Sequence, residues 1–380
     1  MITLRSIESG RVKSRRSEYG LFFVFILLII TLPLKIFGEE VKNNNDKQKK
    51  NDLIILPIIY YTPETGLAYG LGGMYVLKGS EHEQTSRPSS VLMSIVRTRK
   101  KHLLVEIYPD FYVKKGKYHL VPNFNYRIYS ERFYGIGNNT KKDIEEEYSF
   151  RSFKLDLTLQ KKISEKFYAG IQYEFEYNKI TEREPGGILE TEDIVGKESG
   201  SSSGFGLMVN WDSRDNIFYP KRGKYYLVSA KFFNPSFGGN YSFNRFNFDF
   251  RQYISFFPTH ILALQGYIDI KTGEPPFQKL SYLGGQYLMR GYYKGRFRDK
   301  NMIALQMEYR IHLFWKLGIV GFLGFGDVAN TLNKFKLGSF KYSGGLGIRF
   351  QINDEGNHLR LDFGFGRETF GVYFAVNEAF

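Results

Sequence analysis

Six histidines, at positions 82, 102, 119, 260, 312 and 358, are the first residues to weigh for catalysis or metal binding, and they are scattered along the chain. No His-Glu-x-x-His pair occurs, and each Gly-Lys dipeptide is followed by Tyr or Glu, where a phosphate-cradling loop requires Ser or Thr. Cysteine is absent, which removes disulfides, thiolate metal sites and cysteine nucleophiles together. Asp212 and Asp215 in "WDSRDNIFYPKRG" (211 to 223) suggest calcium, yet their spacing lacks the ligand set of a calcium loop. Pro220 and Gly223 instead mark a tight connection, where Asp212, Arg214 and Asp215 can bond backbone groups. These patterns predict no enzyme, no metal site and no cofactor.

A second candidate is "QYLMRGYYKGRF" (286 to 297), which sets three Arg and Lys among four aromatics and two glycines. Such a stretch suits a nucleic-acid patch, a surface loop, or a segment folded back inside the protein. The net charge of +14 falls to +10 once residues 1–38 are set aside, since they carry six basic residues against Glu8 and Glu18. That excess suits an anionic surface, lipid or nucleic acid. The N-terminus separates the two. A basic segment ending at Arg16 precedes "LFFVFILLIITLPL" (21 to 34), which has the length of a signal-peptide core and is short for a bilayer-spanning helix. Residues 1–38 are therefore expected to be a secretory signal, with Gly38 at the cleavage site, and 39–52 a short polar lead. An exported chain leaves nucleic acid behind as a partner.

The elements that position these residues are strands. Aromatics make up 17% of the chain while mean hydropathy is −0.33, so apolar residues must be interleaved with polar ones. Segments of about ten alternating residues recur, as in "FKLDLTLQ" (153 to 160), "IQYEFEYN" (171 to 178), "FNFDFRQY" (246 to 253), "IALQMEYR" (303 to 310) and "LRLDFGF" (359 to 365). In the first, Phe153, Leu155, Leu157 and Leu159 share one face, and Lys154, Asp156, Thr158 and Gln160 the other. A soluble sandwich alternates too. Full charges on the polar faces, no later apolar run long enough for a helix, and a closing strand "VYFAVNEAF" ending in Phe380 favour a membrane barrel with a wet lumen. The expected fold is an all-β transmembrane antiparallel barrel over 53–380. Fifteen strands are readable from residue 66 onward, and 53–61 makes sixteen, weakened by Pro57. Counting back from Phe380 puts 131–146, 182–201 and 273–301 on the outer side of the membrane.

The basic aromatic stretch lies in 273–301, which opens on "GEPPF" and carries ten large apolar side chains between Phe277 and Phe297. A connection that apolar is expected to be buried. Here the residues resemble a family. "YLGGQYLMRGYYKGRFRD" (282 to 299) is similar to the sixth extracellular loop of the BamA/TamA superfamily of outer-membrane assembly factors, the bacterial surface antigen family. "MRGY" (289 to 292) stands at its signature position. The likeness continues through "DSRDN" with Pro220 and Gly223, "EYR" (308 to 310), "FGDVAN" (325 to 330), "SGGLGIRF" (343 to 350) and "LRLDFGFG" (359 to 366). It implies that the loop inserts into the lumen and that Arg290, followed by Gly291 and Tyr292, pairs with acidic residues on the next strands. Glu308 and Asp327 are the candidates, and alternation along 302–314 puts Glu308 on the lumen face with Gln306 and Arg310.

The resemblance further implies a bacterial outer-membrane location, contact with outer-membrane lipid, a targeting role for Phe380 and help in inserting or translocating client proteins. The family's POTRA domains are not expected ahead of this barrel, so client capture would need a separate periplasmic partner. The alternative is a surface-antigen or structural barrel that transports nothing. Glu378, third from the end, departs from the apolar pattern of a targeting strand.

Overall fold

The computed structural model describes residues 52–77, 89–353, 356–367 and 369–380, so the expected signal segment and the polar lead up to residue 51 lie outside the described residues. The strands are β1 (Asp52–Thr62), β2 (Gly66–Leu77), β3 (Ser89–Thr98), β4 (Leu103–Val113), β5 (Tyr118–Phe133) and β6 (Glu146–Lys162). Next come β7 (Phe167–Glu182), β8 (Gly200–Asp212), β9 (Gly223–Phe233), β10 (Phe243–Phe257), β11 (His260–Gly273), β12 (Ser281–Leu283) and β13 (Phe297–Asp299). The last five are β14 (Asn301–Phe314), β15 (Leu317–Ala329), β16 (Lys341–Gln351), β17 (His358–Gly366) and β18 (Thr369–Val376). Sixteen of these close an antiparallel barrel in chain order, while β12 and β13 form a separate ladder within the β11 to β14 connection. The expected count of sixteen holds. The small ladder interrupts a stretch that shows no strand alternation in sequence.

Period-two patterning explains the walls. On β14, Leu305 is 54% exposed and Met307 and Tyr309 are also exposed, while Gln306, Glu308 and Arg310 are buried, Glu308 completely at 0%. Apolar side chains therefore face outward and charged ones inward, the reverse of a soluble core and the arrangement a wet-lumen barrel requires. No helix among the described residues is long and apolar enough to cross a membrane, so the strands are the spanning elements.

Alternation of direction gathers the long connections 134–145, 183–199 and 274–300 at one end of the barrel, and the short ones after β4, β6, β10 and β14 at the other. Closure is uneven. Strand β1 faces β2 along its whole length, with Pro57 opposite Leu71 and no shift in register. Toward β18 it has a single partnered position, Tyr61 opposite Phe374.

Candidate functional site

The connection 274–300 begins where Pro275 and Pro276 remove two backbone donors, which stops β11 from continuing. It then anchors at points spread around the barrel. Lys279 pairs with Glu174 (2.6 Å) and with Glu176, both on β7. Lys294 Nζ lies 3.2 Å from Glu131 at the end of β5, and its backbone N–H donates to Glu64 Oε1 at 2.8 Å. The Glu131 carboxylate holds the Lys294 ammonium above its usual range. Arg296 donates to the Thr140 side chain and carbonyl, both at 2.8 Å, joining this connection to 134–145. The same two connections meet again in a bridge between Gly137 and Arg298.

At the centre stands Arg290, 1% exposed. Its two terminal nitrogens fork onto Glu308 of β14 and Asp362 of β17, and its plane stacks on Phe322 of β15 with 3.7 Å between Cζ and the ring centroid. A planar guanidinium suits this task because it can serve two carboxylates and a ring face at once. The pairs extend into a lattice. Arg310 bonds the other Glu308 oxygen at 2.6 Å, Arg349 bonds the other Asp362 oxygen at 2.6 Å, and Glu378 lies 2.8 Å from Arg349. Arg360 sits 3.7 Å from Asp362.

The neighbours of Arg290 set its position. Met289 adopts a left-handed φ of 56°, and its N–H donates to Gln306 Oε1 at 2.9 Å. Gly291 has φ of 110°, and a Cβ there would meet the Phe365 carbonyl carbon at 2.5 Å, so both conformation and space require glycine. Its N–H donates to the Tyr373 hydroxyl of β18 at 3.0 Å. Tyr292 is buried, donates its hydroxyl to the Tyr342 carbonyl at 3.0 Å and accepts from the Arg367 N–H at 3.0 Å.

Two expectations need correction. Asp327 does not pair with Arg290. It sits opposite Ile303 and has the parity of the outward Ile319, Leu323 and Phe325, so it points to the other face of the sheet from Glu308. There it is buried under the β15 to β16 connection and accepts from Asn138 (3.2 Å) and Ser339 (2.5 Å). The second carboxylate is Asp362, which the alternation of "LRLDFGF" already puts on the face opposite Leu361 and Phe363. The connection is also less thoroughly buried than its composition suggests, since Tyr287 is 56% exposed and Tyr282 is exposed as well. Lys279 and Lys294 escaped notice because nothing local distinguishes a lysine whose partner lies over a hundred residues away.

The turn after β8 is held by its own side chains. Asp212 accepts from the Arg214 backbone and guanidinium (3.1, 3.0 and 2.9 Å), and Asp215 accepts from the N–H groups of Lys221 and Arg222 (2.9 and 3.2 Å). Pro220 is buried, and Gly223 takes φ of 105° within contact of the Ser213 carbonyl. Residues Gly200, Ser202 and Gly204 match the spacing of a hydrolase nucleophile motif. They lie inside β8 with Ser202 buried, whereas that chemistry needs a serine raised on a strand-to-helix turn. Among the described residues no group of His, Asp and Glu could hold a metal ion. Phe380 is buried against Tyr253 and Ala263, away from the outer surface.

Residues 109–380 match the Omp85 superfamily domain. No curated protein sequence matches the chain. Among solved structures, the chain is similar to BamA from Haemophilus ducreyi lacking POTRA domains 1-3, with TM-score 0.58, 16% identity, and coverage of 87% of this chain and 71% of that one. It is also similar to CdiB from Acinetobacter baumannii (TM-score 0.58, 14% identity, 86% and 59% covered). CdiB from Escherichia coli gives TM-score 0.57 and 11% identity, with 86% and 62% covered. The chain thus spans about three fifths of either CdiB. With the family domain covering residues 109–380 of a closed sixteen-stranded barrel, the chain belongs to the Omp85 superfamily and is a barrel of the bacterial outer membrane.

Proposed function

We propose that this barrel assists insertion or translocation of proteins at the outer membrane through the junction of β1 and β18, with a separate periplasmic protein delivering the clients. The observation that carries the reading is the single partnered position between those strands. A strand edge facing hydrocarbon leaves backbone N–H and C=O groups unsatisfied, and each such group is unfavourable there by several kcal/mol. Such an edge is an acceptor for another strand.

Segment 273–301 acts in this reading as the sixth extracellular loop, folded into the lumen as a plug. Its anchors to β5, β7, β14 and β17 support that role, because a connection lying on the outside of the barrel would not reach the inward faces of distant strands. Arg290, Gly291, Tyr292, Glu308 and Asp362 form the lock, which fixes the plug close to β18 through the Gly291 to Tyr373 hydrogen bond. The turn of Asp212, Arg214 and Asp215 is a periplasmic structural clasp. The barrel works without catalysis or cofactor.

Depletion of the protein in its own cell is the test. Falling levels of one class of outer-membrane protein, surface lipid or secreted protein identify the client. Unchanged levels of all three overturn the transport reading and leave a structural surface barrel.

A further inference from the structure

The connections at the end of the barrel that carries 274–300 differ in charge. Segment 183–199 holds five acidic residues against Arg183 and Lys197, whereas residues 330–342, running from β15 into β16, hold Lys334, Lys336 and Lys341 and no acid. The basic connection is greasy as well, with Leu337 81% exposed and Leu332 also exposed. It stays close to the wall, because Phe340 folds back onto the outward Phe325 of β15 with ring centroids 4.6 Å apart. Lysines interleaved with exposed leucines suit the boundary between acyl chains and anionic head groups.

Two hollows lie beside this connection. The first, of about 400 Å³, is lined by Asn138, Asn139, Ser339, Lys341, Tyr342 and Arg367. Lys341 Nζ donates to the Ser339 carbonyl at 3.0 Å and lies 5.0 Å from the centre of the Phe297 ring, while the Asp327 carboxylate is taken up by Asn138 and Ser339. The second, of about 450 Å³, is a groove in the outward wall among Met307 and Tyr309 of β14, Leu323 of β15, Leu346 of β16 and Phe365 of β17. Gly321 leaves its floor open, since a Cβ there would meet only Leu346 Cδ2 at 3.9 Å. The hollows follow one another down β16, whose outward positions run Tyr342, Gly344 and Leu346, a descent of about 13 Å at the usual strand rise.

We propose that the two hollows form one binding site for a phosphorylated, acylated glycolipid of the outer leaflet. Its phosphate lies at Lys341, with Lys334 and Lys336 adding to the field, and one acyl chain fills the groove over Gly321. Charge selects the occupant, because a neutral lipid would leave three lysines without an anion. Size and chemistry narrow it further. The first hollow is larger than a phosphate needs, and its amide and hydroxyl side chains suit the hydroxyl groups of a sugar. The site lies on β14 to β17, away from the β1 to β18 junction, so it stands or falls apart from the transport reading.

The test places the full-length folded barrel in phosphatidylcholine nanodiscs doped with bisphosphorylated lipid A, dephosphorylated lipid A or phosphatidylglycerol, and titrates bound lipid by native mass spectrometry. Bisphosphorylated lipid A is expected to bind as one molecule per barrel and the other two more weakly by about tenfold or more. Lys334→Gln, Lys336→Gln and Lys341→Gln together should weaken it by roughly a hundredfold, from about fivefold per lysine at an anionic lipid surface. Gly321→Phe fills the groove and keeps every charge, so it should weaken binding by about tenfold and covers the case in which the triple variant fails to fold. Leu207→Phe, at an exposed outward position on β8, should change nothing. Equal binding of dephosphorylated lipid A overturns the phosphate contact, and equal binding of phosphatidylglycerol overturns the glycolipid. Unchanged binding in both the triple variant and Gly321→Phe, or an equal loss in Leu207→Phe, overturns the site. Client levels play no part in the readout, so a failed lipid site leaves the transport reading standing, and a barrel without clients can still show the site.

Discussion

Between β5 and β6, Tyr118 to Phe133 face Glu146 to Lys161 at sixteen consecutive positions. Between β1 and β18, Tyr61 alone faces Phe374. Both junctions join strands with apolar outward faces, although β1 and β18 carry apolar residues on the inward face as well. The difference is in backbone pairing. A ladder hydrogen bond contributes about 1 kcal/mol net in water and more where the alternative is hydrocarbon. The β5 to β6 wall is therefore the more firmly held of the two, and in the proposed function the β1 to β18 junction is where the barrel parts. The connection 274–300 reaches both: Lys294 holds Glu131 on β5, while Arg290 and Gly291 hold Asp362 on β17 and Tyr373 on β18.

Sealing the weak junction should have the largest effect. With Tyr61→Cys and Phe374→Cys oxidised, client levels in cells relying on this copy should fall as far as in depleted cells and recover with reductant. A pair at Asn125 and Lys154, opposite each other on β5 and β6, should change nothing. Normal client levels with the junction sealed would remove its role. Next in size is Arg290→Ala. It leaves Glu308 and Asp362 buried without their shared partner, which destabilises by about 3–5 kcal/mol as for other broken buried pairs. The barrel should lose its heat-resistant migration at lower temperature, with amide exchange rising first on β17 and β18. Equal heat resistance would show that Arg310 and Arg349 suffice to neutralise the two carboxylates. The smallest effect is expected from Lys294→Ala, whose pair is only partly buried, 34% exposed at the lysine and 16% at the glutamate, and contributes about 1 kcal/mol or less. Exchange on β5 should stay unchanged, because the sixteen-position ladder holds that wall without help. A larger loss than for Arg290→Ala would reverse the ranking of the two regions.

What local pattern controls was legible. Alternation along 302–314 puts Glu308 inward, and the motif around "MRGY" singles out Arg290. The same parity argument applied to 359–365 would have found Asp362. It fails for Asp327, because both faces of 317–329 are apolar and the β15 to β16 connection covers the outward side at that end.

The sequence by itself determined the strands, their number and which face of most of them meets lipid, since a two-residue period depends only on neighbours in the chain. The tertiary structure decided which inward charges meet across the barrel, that Lys279 and Lys294 find acids on β7 and β5, and that β1 and β18 are laddered at one position. Those outcomes depend on how sixteen strands close and where the connection meets them, and distances of that kind are set by the whole barrel and by no single segment.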